Sequence, residues 1–128
     1  MEEGILTDQK DEELIQQMLD DFICPRGYKN IRANVDEYET PSRLSRQTSD
    51  GEESFIPDAT GIINGRKSYF ELALKSDSKR ATVTKWKLLA NLAKFKRGKL
   101  YLVAPRGHYA FVDRLLKKYP ISAEIVKL

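Results

Sequence analysis

FIPDATGIINGRKSYFELALK, residues 55–75, is the stretch that decides the fold. Two short alternating segments flank the dipeptide Asn64-Gly65 within it. Asn-Gly between such segments is the strongest short-range signal for a β-hairpin, because a type I′ turn needs a positive φ at both central residues. With these two residues as the loop, counting outward along both strands places Asp58 opposite Glu71. The turn therefore predicts a pair of facing carboxylates.

The predicted carboxylate pair needs a physical reason. Facing Cβ atoms in a sheet lie about 5 Å apart, and like charges at that separation are unfavourable. A hard divalent cation would turn this repulsion into ligation, since Mg²⁺ favours one or two carboxylates together with water and phosphate oxygens. Strand alternation also puts Lys75 on the same face as Glu71, where it could reach a phosphate or polarise a water. The alternative, usual for an arbitrary antiparallel pair, is that both carboxylates lie on a solvated face and point into water.

These residues resemble the core of a known family. Pro57-Asp58, a hairpin, Glu71, a following lysine and then a basic helix are similar to the PD-(D/E)XK nuclease superfamily, which includes type II restriction enzymes and archaeal Holliday-junction resolvases. The resemblance covers residues 28–128 and implies a DNA endonuclease that hydrolyses phosphodiester bonds. Asp58 and Glu71 would bind Mg²⁺ or Mn²⁺, and Lys75 would activate the attacking water. The usual Glu-x-Lys spacing is absent, because position 73 is alanine.

The resemblance also implies roles for residues outside the hairpin. An acidic residue of the first helix contributes to the site in many relatives, and Glu13 is the candidate here. The DNA backbone would be held by four basic residues that follow the hairpin, Lys79, Arg80, Lys85 and Lys87. Cutting both strands of a duplex with one site per chain would favour a homodimer.

The charge of the chain is distributed unevenly. Residues 1–64 contain 6 Lys/Arg and 15 Asp/Glu, a net charge of −9, whereas residues 65–128 contain 16 and 4, a net charge of +12. Such asymmetry indicates that the C-terminal half binds a polyanion such as DNA. The alternative is that the basic helix is a solvated face that balances the acidic half.

Length and composition predict one domain spanning residues 1–128 in the cytoplasm. No segment approaches the roughly 20 apolar residues of a membrane span. The acidic N-terminus lacks the apolar run of a signal peptide. A single cysteine, Cys24, excludes an internal disulfide and suits a reducing compartment. We therefore expect no membrane partner.

Apolar periodicity predicts an alternating order of helices and strands. The predicted helices are residues 8–22 (with Thr7 as N-cap), 81–97 and 109–119, and the predicted strands besides the hairpin are 28–38, 99–104 and 121–128. Residues 39–54 are polar and rich in serine, which predicts an exposed, mobile loop or an extended hairpin tip. Helices after the later strands imply crossover connections. The predicted fold is α/β and restriction endonuclease-like, a central mixed β-sheet flanked by helices on both faces.

Two other functions are compatible with the same residues. The alanine at position 73 is also expected of a catalytically inactive DNA-binding module on this fold. A protein-interaction subunit, whose oppositely charged halves pair head to tail, would use neither metal nor DNA. His108, at the start of the last predicted helix, either contacts a phosphate or is a surface turn residue.

Overall fold

The computed structural model describes residues 11–128, which form a mixed five-stranded sheet, a separate two-stranded sheet and three α-helices. The strands are β1 (Lys29–Ala33), β2 (Leu44–Thr48), β3 (Gly51–Phe55), β4 (Ala59–Ile63), β5 (Arg66–Leu72), β6 (Arg97–Ala104) and β7 (Glu124–Lys127), and the helices are α1 (Glu12–Met18), α2 (Lys79–Phe95) and α3 (Tyr109–Lys118). A π-helical turn, Leu19–Ile23, and a 3-10 turn, Cys24–Arg26, follow α1. Within the described part of the chain, no helix has the length and apolarity to cross a bilayer.

The main sheet changes from antiparallel to parallel at its central strand. Its strand order is β1-β4-β5-β6-β7, with β1, β4 and β5 antiparallel and β5, β6 and β7 parallel. The two parallel connections run through α2 and α3, because parallel neighbours need a crossover. The predicted mixed α/β sheet is confirmed.

The hairpin between β4 and β5 has the predicted register. Asn64 and Gly65 have φ values of 52° and 75°, as a type I′ turn requires. Ile63 pairs with Arg66 at the turn, and the last ladder pair is Ala59 with Phe70. One step further along both strands, Asp58 comes opposite Glu71.

Alternate residues of β5 point into two separate apolar layers. Phe70 and Leu72 pack in one layer with buried residues of α1, including Ile15 and Met18. Tyr69 and Ala73 pack in the other layer with residues of α2 and α3, such as Trp86 and Phe111. The helices therefore cover both faces of the sheet, and we call the two clusters the α1 layer and the α2 layer. Glu71, between Tyr69 and Ala73, lies on the face of the α2 layer.

The described structure differs from the predicted elements in several places. The strand predicted over 28–38 ends at Ala33, and Arg97, which the helix predicted over 81–97 included, begins β6. Asp11 caps α1, because its carboxylate accepts a 2.9 Å hydrogen bond from the Glu13 N–H. The predicted cap Thr7 and the first predicted helical residues lie outside the described residues. Within residues 39–54, β2 and β3 form a hairpin, and an Arg46–Glu53 ion pair of 2.7 Å joins its strands. The extended-hairpin alternative was therefore correct in its secondary structure.

Gly98 lets the end of α2 turn closely into β6. The parallel register of β5 with β6 shifts by one residue between the Lys67–Arg97 and Tyr69–Leu100 pairs. A Cβ at position 98 would lie 1.9 Å from the Lys67 carbonyl oxygen. Real Cβ atoms never approach backbone that closely, so only glycine fits here without displacing β5.

We predict that Gly98→Ala lowers the free energy of unfolding by about 3 kcal/mol or more, beyond the usual cost of overpacking, because the clash is with backbone. Urea denaturation measures this loss. Gly27→Ala is the control, since Gly27 has a φ of 81° but no atom within 4 Å of an added Cβ. Its cost should be about 1–2 kcal/mol. Equal losses in the two variants would contradict the close approach of β6 to β5.

Candidate active site

Asp58 and Glu71 lie together inside the protein. Asp58 directly precedes β4, and Glu71 is the second-last residue of β5. Each residue is 1% exposed. The alternative of two solvated carboxylates is therefore wrong, and the pair lies at the carboxyl end of β5, where the sheet changes from antiparallel to parallel.

Backbone hydrogen bonds fix the two carboxylates against each other. The Asp58 N–H donates to Glu71 Oε1 at 3.2 Å, and the Leu72 N–H donates to Asp58 Oδ2 at 2.8 Å. Each strand thus supplies the backbone donor that holds the carboxylate of the other strand. Because these bonds continue the hairpin beyond its last ladder pair, the turn at Asn64-Gly65 sets the geometry of the site.

A lysine from α2 completes the cluster. Lys85 Nζ lies 2.7 Å from Glu71 Oε2, and Lys85 is 6% exposed. Lysine is almost never buried without a partner, because its ammonium group loses hydration. Three ionisable residues, Asp58, Glu71 and Lys85, therefore lie next to each other on the face of the α2 layer.

Lys85 is buried, whereas the sequence suggested that it holds the DNA backbone at the surface. Lys85, Leu89 and Ala93 are spaced by four residues and share the buried side of α2. A lysine within this apolar stripe was the signal that could have identified it. Ala73, at the family's lysine position, is fully buried in the core beneath α2. The lysine that reaches Glu71 thus comes from the helix and not from β5.

Lys75 lies beyond the end of β5 and is exposed. Its backbone N–H donates to His108 Nδ1 at 2.8 Å, so that His108 joins the loop after β5 to the start of α3. Lys75 and Lys79 line a cavity of about 300 Å³ together with Asp77 and Phe111. Although β5 ends at Leu72, Ala73 and Leu74 still alternate between the two layers, which agrees with the predicted face of Lys75. Its catalytic role stays a prediction.

The other predicted site residues lie on exposed surfaces. Glu13 is exposed in the first turn of α1, whose buried residues pack on the side of the sheet opposite to Lys85. Lys79, Arg80 and Lys87 are exposed on α2. Their expected contacts with DNA stay predictions.

The donor set of the site fits a hard divalent cation. Within residues 11–128 there is no group of three or more His, Cys, Asp or Glu arranged to hold a metal ion. Two carboxylates nevertheless suffice for Mg²⁺ or Mn²⁺, which complete their coordination with water and phosphate oxygens. Lys85 and a cation would compete for Glu71 Oε2.

The comparisons with known proteins add little to this geometry. No protein-family model matches the chain, and no curated protein matches it. The crystal structure of protein VC1899 from Vibrio cholerae is similar with a TM-score of 0.44 and 14% identity, over 91% of this chain. This chain corresponds to 28% of the length of that protein.

We predict that Lys85→Met lowers the free energy of unfolding by about 3–5 kcal/mol at neutral pH, because it leaves the buried Glu71 carboxylate without its ion pair. Urea denaturation measures the effect. Lys87→Met, two residues away on the exposed side of α2, is the matched control and should change stability little. A second variant, Lys85→Met combined with Glu71→Gln, should regain part of the loss. The ion pair would be refuted if Lys85→Met were as stable as the control.

Proposed function

We propose that this protein is a metal-dependent nuclease that hydrolyses phosphodiester bonds of DNA, with Asp58, Glu71 and Lys85 at its active site. The observation that carries the proposal is the convergence of these three side chains, none more than 6% exposed, at one end of the sheet. Replacing a buried ion pair by apolar residues is often neutral or stabilising. Stability alone therefore gives little reason for this cluster, whereas buried charges in mutual contact are typical of catalytic sites.

Asp58 and Glu71 would hold Mg²⁺ or Mn²⁺. The bound cation would lower the pKa of a coordinated water and polarise the phosphate that is attacked. The contribution of the chain is to present two carboxylates at a fixed separation. The N–H groups of Asp58 and Leu72 support this role, since they hold the carboxylates through backbone that cannot rotate away.

Lys85 would act on the attacking water and on the phosphate. Its ammonium group carries three donors on a flexible stem. One donor can remain on Glu71 while another orients the water or binds a non-bridging phosphate oxygen. Positive charge held in a water-poor site stabilises the negative charge that develops during hydrolysis. We assign to Lys85 the role that the family resemblance gives to the lysine after Glu71.

The charge of the C-terminal half supports DNA as the substrate. Residues 65–128 carry a net charge of +12, and Lys79, Arg80 and Lys87 extend from the same helix as Lys85. Phosphate neutralisation by such residues supplies most of the non-specific affinity for DNA. The second candidate function is an inactive DNA-binding module, which is compatible with the same buried Glu71–Lys85 pair at 2.7 Å.

We predict Mg²⁺- or Mn²⁺-dependent cleavage of labelled linear or branched DNA by the wild type. Asp58→Asn and Glu71→Gln should each reduce the rate at least about 100-fold, because each removes a charge from the metal site. Lys85→Ala should cause a comparable loss, whereas Lys75→Ala should retain most of the activity. The control Lys118→Met, at an exposed residue of α3 without an assigned role, should cleave at nearly the wild-type rate.

Two results would count against the proposal. If Lys75→Ala abolishes cleavage and Lys85→Ala does not, the lysine assignment is wrong although the nuclease assignment holds. If the wild type is inert with every substrate and cation but still binds DNA with salt-sensitive affinity, the protein is a binding module.

A further inference from the structure

A basic groove lies beside α2, on the side of the main sheet that carries the proposed active site. The groove is a cavity of about 270 Å³ between the sheet and the segment that precedes β2. The residues that define it here are Asn30, Arg32, Glu39, Ser42, Thr60 and Lys67.

The register of the sheet puts the groove and the active site on one face. Thr60 pairs with Tyr69, which packs in the α2 layer. Asp58 and Thr60 are two residues apart and therefore lie on the same face. The buried α2 layer contains residues of β5 and β6 but none of β1 or β4 among those described. The groove lies on the part of this face that β1 and β4 form, next to the area that α2 covers.

A bulge in β1 turns Arg32 towards the groove. Lys29 pairs with Ile62, but Arg32 pairs with Thr60 and Ala33 with Ala59, so that β1 contains one extra residue. Without this residue Arg32 would lie opposite Ala59, which is fully buried in the α1 layer. The bulge instead puts Arg32 on the face of Thr60, and Asn30 within it has a φ of 51°.

Lys67 lines the groove beside Arg32, and Lys96 lies near Lys67 at the end of α2. The Lys67 N–H donates to the Lys96 carbonyl oxygen at 3.4 Å, which brings the end of α2 against β5. The pKa of Lys67 lies below its ordinary value because of burial, with further contributions from the charges of Lys96 and Arg32. In the described part of the chain, no carboxylate lies within salt-bridge distance of Arg32, Lys67 or Lys96. Glu39 is the acidic residue that lines the groove.

We propose that this groove binds backbone phosphates of the nucleic acid, beside the phosphate at the active site. The proposal rests on the nuclease function and adds the path of the bound strand. Lys67 precedes Glu71 by four residues of β5, and Thr60 follows Asp58 by two residues of chain. At about 3.3 Å per strand residue, the groove begins about 7 Å from the carboxylates and extends to about 13 Å. Since a DNA strand rises about 3.4 Å per nucleotide, this corresponds to about two to four nucleotides.

The geometry of α2 supports the same path. Lys85 lies on the buried side of α2, and Lys96, the C-cap residue eleven positions later, lies about 16 Å further along the helix. One lysine lies in the active site and the other beside Lys67. A strand that follows the flank of α2 would meet positive charge at both ends.

The test is the affinity of the full chain for labelled single-stranded and duplex DNA, measured by fluorescence anisotropy in EDTA at several salt concentrations. Arg32→Gln and Lys67→Gln should each weaken binding about tenfold, since each loses a charge-assisted contact. The slope of log Kd against log salt should fall by about one per lost contact. Lys67→Arg should retain the wild-type affinity. Arg114→Gln, an exposed arginine on α3, is the charge-matched control.

The outcomes separate this proposal from the nuclease assignment. Variants of the groove that bind like Arg114→Gln would overturn the groove, whether or not the wild type cleaves DNA. An inert wild type whose binding depends on Arg32 and Lys67 would overturn the nuclease assignment and support the groove. If AMP displaced the DNA at AMP concentrations similar to the DNA concentrations that bind, the groove would be a site for small phosphates and the backbone assignment would be wrong.

Discussion

The ion pair between Glu71 and Lys85 is the interaction on which the arrangement of this protein depends. It joins the central strand β5 to the helix α2 at a point closed to solvent, with Nζ and Oε2 2.7 Å apart. Charges removed from water in this way are favourable only when their partners are positioned accurately. The accuracy comes from the cross-strand hydrogen bonds of Asp58 and Leu72, which hold both carboxylates through the backbone of the hairpin.

The basic groove lies on the same face of the sheet as this cluster. The sheet is covered by α2 over β5 and β6, whereas the same face of β1 and β4 carries the basic groove. Two local irregularities produce that groove. A bulge in β1 reverses the face of Arg32, and Gly98 permits the close approach that brings Lys96 to Lys67. Catalytic and binding chemistry would therefore share one surface, arranged along a single helix.

The sequence was sufficient for the parts that depend on local chemistry. Asn64-Gly65 determined the turn and, by counting, the Asp58–Glu71 pair, because a two-residue turn leaves one register. The position of Lys85 could not be derived in the same way, since helix periodicity gives the buried side of α2 but not the strand residue beneath it. Alternation along β5 pointed to Lys75, whereas the lysine that contacts Glu71 comes from α2. The hairpin of β2 and β3 was ambiguous because its strands contain few apolar residues, and the bulge at Asn30 depends on pairing with β4.

The most direct test of the account is a calorimetric titration of Mn²⁺ into the full chain, with the wild type beside Asp58→Asn, Glu71→Gln and Lys85→Met. We expect one cation per chain for the wild type and loss of binding in both carboxamide variants. Because Lys85 competes with the cation for Glu71 Oε2, Lys85→Met should bind Mn²⁺ more tightly than the wild type. Binding that persists unchanged in Asp58→Asn and Glu71→Gln, or that is absent from all four proteins, would contradict a metal site at this ion pair.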